Sequence, residues 1–262
     1  AYDATFPFVF NTTSKTGIQS TSNTASGSQS IAMGLTTTAS ESRSTAMGQS
    51  TVASGDVSTA MGKDTKALGD TSTAIGDRTT ASGSKSTAMG DGTTASGTTS
   101  TAMGFETTAS GSASTAMGDD TIASGAVSTA MGEDTIASGY GSTAMGDATT
   151  AFGRSSTSMG QFNVLNTGDN ATVYAATNTA FSIGNGTNSS SRSDAFKVLF
   201  NGTTTIAGSV TSESLNVTAL NAAPASATAA GTLGSIRFTA DHIYVCVATV
   251  SYTHLRAHET KP

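Results

Sequence analysis

Every seventh residue from Gly27 to Gly160 is glycine except Glu41, which makes 19 of 20 positions. The glycines fall into two alternating classes. One closes the string S-T-A-M, as in Ser44-Thr45-Ala46-Met47-Gly48. The other closes T-x-A-S, as in Thr51-Val52-Ala53-Ser54-Gly55, so the true period is 14 residues. All nine methionines stand in the first class, and Ile75 fills the one remaining rung. A repeat this strict predicts a solenoid in which each coil buries only its neighbours.

Composition agrees with thin coils and not with an ordinary core. Leu, Ile, Val and Phe together supply only about 15% of the residues, a level that usually signals disorder. The net charge of −6 is small for 262 residues, and the large apolar side chains lie on a lattice. Disordered chains combine low hydrophobicity with high charge and no lattice. The mild acidity disfavours nucleic acid and anionic membrane surfaces as partners. Cys246 is the only cysteine, so no disulfide framework or zinc spacing exists. No apolar run approaches a membrane span and no signal peptide is evident. The first residue is not methionine, and the chain reads as an internal piece of a longer protein.

Each half-repeat is five structured residues and two variable ones, as in Lys63-Asp64, Asp77-Arg78 and Asp119-Asp120. That length predicts a short strand and a turn. A helix would lose about 1 kcal/mol at each glycine. Glycine at a fixed turn position predicts a positive φ in every half-coil. Side chains alternate across a strand, so Ser and Ala of S-T-A-M-G share one face while Thr and Met share the other. Alanine holds its position without a break from Ala25 to Ala151, and Ser158 replaces it in the last rung. The Ala and Ser/Thr face is therefore expected inside a narrow roll.

The opposite faces differ. One sheet presents Met33, Met47, Met61, Ile75, Met89, Met103, Met117, Met131, Met145 and Met159. The other presents mainly hydroxyls: Thr80 and Ser82, Thr94 and Ser96, Thr108 and Ser110, a candidate outer binding face. Coils stacked at about 4.8 Å would carry the methionine stripe along a rod some tens of ångströms long. An apolar stripe of that extent exceeds what a soluble monomer leaves in water, so it is expected on an oligomer axis.

The ladder resembles the YadA-like head of trimeric autotransporter adhesins, where a motif close to N-S-V-A-I-G recurs about every 14 residues. Here S-T-A-M-G stands in that place over roughly residues 21–160, with Thr for Val and Met for Ile. The resemblance implies an all-β, left-handed parallel β-roll of about ten coils, associated side by side as a homotrimer. The methionine ladder would then be the trimer interface.

Beyond Gln161-Phe162 the period stops. Short alternating segments follow, among them Ala180–Ile183 and Ala195–Phe200, separated by Gly184-Asn185-Gly186 and Asn201-Gly202. Phe181–Gly202 resembles the F-x-I-G-N-G…R-S-D-A-F-x-V-L-x-N-G segment of phage tail fibres and surface fibres. Val210, Leu215, Val217 and Leu220 alternate with polar residues, and Ala222–Ala230 is a small-residue linker. Gly234–Phe238 and His242–Val247 predict a β-hairpin that resembles a closing module of such fibres. Residues 250–262 change composition abruptly and resemble translated sequencing adapter, so no packing partner is expected for them. The expected organisation is a lead-in at 1–20, the head at 21–160, a β-rich connector at 161–222, the hairpin module at 223–249 and a non-native tail at 250–262.

No arrangement of catalytic type is present. His254 and His258 have the spacing of two zinc ligands on a helix, but they fall in the tail. Asp64, Asp77, Asp91, Glu106, Asp119, Asp120, Glu133, Asp134 and Asp147 follow the methionine strands without the G-G-x-G-x-D pattern of calcium rolls, and read as solvated turns. Arg43, Lys85 and Arg154 occupy the opposite turns. Cys246 reads as a packed thiol. An alanine-filled roll has no cavity for a substrate. The expectation is a non-enzymatic extracellular adhesive fibre at a cell surface, without metal or cofactor, that binds itself and a host surface, matrix protein or glycan. A phage tail fibre is the runner-up. Ice binding is a remote third, because Val52, Lys66, Ile122, Ile136 and Phe152 interrupt the hydroxyl ranks.

Overall fold

The structure is a computed structural model that describes residues 8–10, 18–20, 22–211, 236–238, 242–248 and 251–256. Two compact units divide the chain, Ala1–Ser209 and Val210–Pro262. The boundary falls within the stretch 161–222 that the sequence presents as one connector.

The first unit is a β-solenoid. Each coil contributes a five-residue strand such as Thr87–Asp91 and a two-residue strand such as Thr94–Ala95. The long strands stack in parallel and in register, so that Thr87 lies beside Thr101 and Met89 beside Met103. They form the body of a 15-stranded sheet, and the short strands form a separate 10-stranded sheet. The inward alternation is as the sequence predicts. Ala25 through Ala144 are fully buried at every seventh position, and so are Ser30, Ser44 and their equivalents, each just before a long strand. Thr37, Thr51 and their equivalents are buried beside the short ones. Small residues allow the two sheets to approach until nothing larger than threonine fits between them.

Glycine is needed for two different reasons. After each methionine, Gly34 through Gly160 adopt φ between +95° and +132°, a region that side chains rarely enter. In the other class, Gly69, Gly83, Gly97 and their equivalents do not have positive φ. The expectation of left-handed backbone at every glycine is therefore corrected for this class. These residues are glycine because a Cβ on Gly97 would overlap the carbonyl oxygen of Gly111 in the next coil. The left-handed position is instead the second variable residue of each turn, as at Arg43 (φ 56°), Val57 (57°), Lys85 (59°), Thr99 (56°) and Glu106 (49°). Each of these donates its amide to the preceding coil, as Thr99 N does to Ser84 O at 2.8 Å and Glu106 N to Asp91 O at 2.8 Å. That ladder holds ordinary residues in a conformation they would otherwise avoid.

Glu41, where glycine is missing, interrupts the pattern. Glycines of its class donate to the alanine carbonyl one coil on, as Gly69 N does to Ala81 O at 3.3 Å. At Glu41 the neighbouring Ser40 alone makes that donation, to Ala53 O at 3.0 Å, and Glu41 is exposed. In the following coil Gly55 N turns to Ser58 Oγ at 3.2 Å.

The interior has a polar cost. The hydroxyls of Thr51, Thr65, Thr79, Thr93 and their equivalents are buried without a hydrogen-bond partner. Stacked rungs lie about 4.8 Å apart, and a hydroxyl reaches the next one in its column only by leaning toward it, as Ser182 Oγ does to Ser158 Oγ at 2.9 Å. Ser30 Oγ and Ser156 Oγ, near the two ends, escape this by donating to Gly27 O and Gly153 O, each at 2.8 Å.

The end of the short-strand sheet is closed by Asn163. Its Oδ1 accepts from Thr150 N at 2.7 Å and its Nδ2 donates to Thr150 O at 2.9 Å. One carboxamide thus stands in for the peptide group of a further rung, which buried backbone polar groups require. The long-strand sheet does not end there. Thr179–Asn185 adds one more parallel strand, with Met159 beside Ile183 and Gly160 beside Gly184. Asp194–Leu199 and Thr204–Ile206 then continue it antiparallel. Edge-to-face pairs, Phe181 with Phe196 at 6.1 Å and Tyr174 with Phe200 at 5.3 Å, pack this region.

In the second unit the predicted hairpin is present, Ile236–Phe238 against His242–Ala248. Ser251–Arg256, for which the sequence offered no partner, forms a third antiparallel strand against His242–Ala248. Within it, Tyr252 and Thr253 are of types that favour extended backbone. His254 accordingly stands in a strand, where no helical i, i+4 pair can form. Leu215, Val217, Leu220, the linker Ala222–Ala230 and His258 lie outside the described residues.

Two outcomes are expected in denaturant unfolding of the full chain. Gly97→Val and Gly104→Val should each destabilise by about 1–3 kcal/mol, the first through overlap with the next coil and the second through overlap plus positive φ. Thr99→Gly should stabilise by up to ~1 kcal/mol, because it relieves a left-handed threonine. A loss at Thr99→Gly equal to that at Gly97→Val would contradict the assignment of the turn. Separately, Thr93→Val should raise stability by about 1 kcal/mol, since it removes an unpartnered hydroxyl at constant shape. A clear loss would mean that the hydroxyl has a partner.

Candidate functional site: the two outer faces

The outer face of the long-strand sheet is set by alternation against the buried Ser and Ala positions. It consists of a threonine column, Thr45 through Thr157, and the methionine column. Registered pairing places Met33 beside Met47, Met61 beside Ile75, Ile75 beside Met89 and Met145 beside Met159. Every one of these side chains is half-buried in the single chain, and so are the threonines beside them. Parallel in-register stacking therefore turns ten residues separated by 14 in sequence into one continuous stripe. The stripe also gains a member that the period missed. Ile183 extends it past Met159, because the loop at 163–178 inserts extra residues before the next rung. The signal was available in the sequence: Phe181-Ser182-Ile183-Gly184 repeats the T-S-M-G pattern of Thr157–Gly160.

The outer face of the short-strand sheet carries Thr80, Thr94 and Thr108, half-buried, beside Ser82, Ser96 and Ser110, exposed. The pairs Thr80 with Thr94 and Thr94 with Thr108 run in register. Lys66, Ile122 and Ile136 break the threonine rank, and Leu68, 40% exposed, breaks the serine rank. The leucine was not among the interruptions expected from the sequence.

The turns flanking the methionine strands are acidic, and the charges pair along the stack. Arg78 Nη2 donates to Asp91 Oδ1 at 2.6 Å and Lys63 Nζ lies 3.4 Å from Asp77 Oδ2. The hydrogen bond to Asp91 holds the Arg78 guanidinium above its ordinary pKa. On the opposite edge Arg43 pairs with Asp56 at 2.9 Å, so this cation is engaged within its own chain. Arg154 lies over the Tyr140 ring at 4.2 Å and donates to Thr172 O at 2.9 Å. Among the described residues these ion pairs are exposed and contribute little to stability. Among the described residues no three His, Cys, Asp or Glu side chains converge as metal ligands.

The base of the methionine face is tied to the following segment by Arg192 and Asp194. Arg192 Nη1 donates to Ala148 O at 2.8 Å and Asn163 O at 3.3 Å. Asp194 Oδ1 accepts from Val164 N at 2.9 Å. Burial pushes the Asp194 carboxyl above its ordinary pKa, against the opposing effect of that hydrogen bond. Among the described residues no helix is long and apolar enough to cross a membrane.

The comparisons agree with this geometry. A family model described as the YadA head domain repeat, two copies, matches five successive blocks: residues 25–51, 53–79, 81–107, 109–135 and 137–163. Each block covers two coils of the solenoid, and together they span the stacked region from Ala25 to Asn163. No curated protein matches the chain. Successive matches over more than half of the sequence, on the coils that carry the Ala interior and the Met ladder, place this chain in the YadA head domain family of adhesin-type fibre proteins.

Proposed function

We propose that three copies of this chain associate in parallel about their Thr–Met faces to form an extracellular attachment fibre. The observation that carries the assembly is the registered ladder of Met33 through Met159, with Ile75 and Ile183, left half-buried as one continuous stripe on a single face of the solenoid. Burying a stripe of that kind stabilises an assembly by roughly 25 cal/mol per Å² removed from water. Methionine suits such a seam, since its unbranched side chain adapts to the facing copy. Membership of a family associated with homotrimeric surface adhesins supports the same reading. The role is mechanical and adhesive, with no catalytic step. The roll holds its outer hydroxyl face, Thr80, Ser82, Thr94, Ser96, Thr108 and Ser110, toward a host surface, a matrix protein or a glycan.

Sedimentation equilibrium of the full chain at micromolar concentration should give the mass of a trimer. Met103→Asp should dissociate the trimer or unfold the neighbouring coils, because it puts an unpaired charge into a dry seam, at a cost of several kcal/mol. A folded monomer for the unsubstituted chain would end the assembly reading. For adhesion, the trimer should bind saturably to at least one immobilised matrix protein or glycan, and Ser96→Lys should weaken that binding. Binding unchanged by Ser96→Lys would move the contact to another face.

A further inference from the structure

We infer that the connector after the solenoid is a site of asparagine glycosylation, at Asn170, Asn188 and Asn201. The solenoid from residue 24 to 162 contains no asparagine at all. The connector instead presents the acceptor tripeptide Asn-x-Ser/Thr as Asn170-Ala171-Thr172, Asn188-Ser189-Ser190 and Asn201-Gly202-Thr203. The same tripeptide occurs at Asn11 and Asn216, outside the described residues.

Geometry separates these three asparagines from the structural ones. All three are exposed. In each, Oδ1 accepts from the backbone amide two residues on: Thr172 N at 3.0 Å, Ser190 N at 2.9 Å and Thr203 N at 2.9 Å. That local turn leaves the amide nitrogen facing outward. Among the described residues nothing engages Nδ2 of Asn170 or Asn201, and Asn188 Nδ2 reaches only Thr187 Oγ1 at 3.5 Å. Buried Asn163 and Asn178 are the opposite case, with Nδ2 donating to carbonyls of the fold at 2.9 Å. Asn185-Gly186-Thr187 also spells the tripeptide, but Asn185 Oδ1 accepts from Ser193 Oγ at 2.7 Å and Gly186 is buried. It is therefore an internal control, a matching sequence in the wrong geometry.

The turn also favours the chemistry. Donation of a backbone N–H to Oδ1 stabilises the negative charge that gathers on that oxygen as Nδ2 loses its proton. The Nδ2 lone pair then attacks the anomeric carbon of a sugar activated as a diphosphate. The N–C bond forms, the C–O bond to the diphosphate breaks, and the diphosphate leaves with the electron pair. The Nδ2 proton passes to a base of the transferase. The neighbouring Ser or Thr hydroxyl is the recognition element two residues away. This inference rests on the connector alone and is independent of how copies of the chain assemble.

The test uses the folded full chain in two arms. One contains a soluble asparagine-directed transferase with uridine-diphosphate glucose. The other contains a membrane oligosaccharyltransferase with a lipid-diphosphate oligosaccharide. Peptide mass spectrometry should find sugar on Asn170, Asn188 and Asn201 in at least one arm, and Asn163, Asn178 and Asn185 bare. The arm that reacts identifies whether the donor is nucleotide-linked or lipid-linked. Thr172→Ala, Ser190→Ala and Thr203→Ala should each lose the sugar at their own asparagine only, with the circular dichroism unchanged. Bare asparagines at all three sites in both arms would overturn the inference. So would modification of Asn185 as complete as theirs, because accessibility and turn geometry would then not select the site.

Discussion

In-register parallel stacking is the constraint on which the rest of this structure depends. Each residue of the solenoid lies directly against its equivalent 14 positions away, as Ala74 lies against Ala60 and Ala88, at a spacing of about 4.8 Å. Every side chain is therefore repeated as a column, and a column tolerates only what fits beside itself. The interior accepts alanine, serine and threonine because the two sheets leave room for nothing larger. The turns accept glycine where a Cβ would meet the carbonyl of the following coil, as at Gly97 and Gly104.

A solenoid of this kind has almost no conventional core, and it compensates through its backbone. The ladder extends through strands and turns alike, so that residues at left-handed φ such as Val57 and Lys85 still donate to the preceding coil, to Ser42 O at 2.9 Å and Asp70 O at 2.8 Å. What stacking cannot supply is an end. The carboxamide of Asn163 closes the short-strand sheet, and at the other end Asn23 Oδ1 accepts from Thr37 N at 2.9 Å. Both solutions use a side chain that imitates a peptide group. The long-strand sheet runs past this point into antiparallel strands, so its parallel order ends in ordinary pairing.

The same stacking gives the molecule two unlike outer surfaces. A position that alternates Thr with Met becomes a stripe with an apolar centre, and one that alternates Thr with Ser becomes a field of hydroxyls. In the proposed assembly the first is buried against further copies of the chain and the second meets a polar surface. The family match covers the coils that make both surfaces. In the proposed reading, function is a property of whole columns.

The periodicity alone determined the strands, the alanine interior, the inward Ser and Thr positions and the methionine stripe, because each depends only on alternation and on a fixed 14-residue register. Tertiary structure decided the features that depend on what lies in the next coil. The sequence sorts Gly97 and Gly104 into different classes but does not say why each is glycine, and only the structure shows that one avoids a collision while the other adopts positive φ as well. The left-handed turn position carries residues as different as Arg43, Val57, Asp64, Ala113 and Phe162, and no residue type announces it. Ile183 joins the stripe only because the loop at 163–178 folds aside and returns the chain to register. Asn163 becomes a cap only because it arrives beside Thr150. Local alternation is written into each short segment, whereas steric closeness, register after an insertion and the closing of an exposed edge arise only when coils meet.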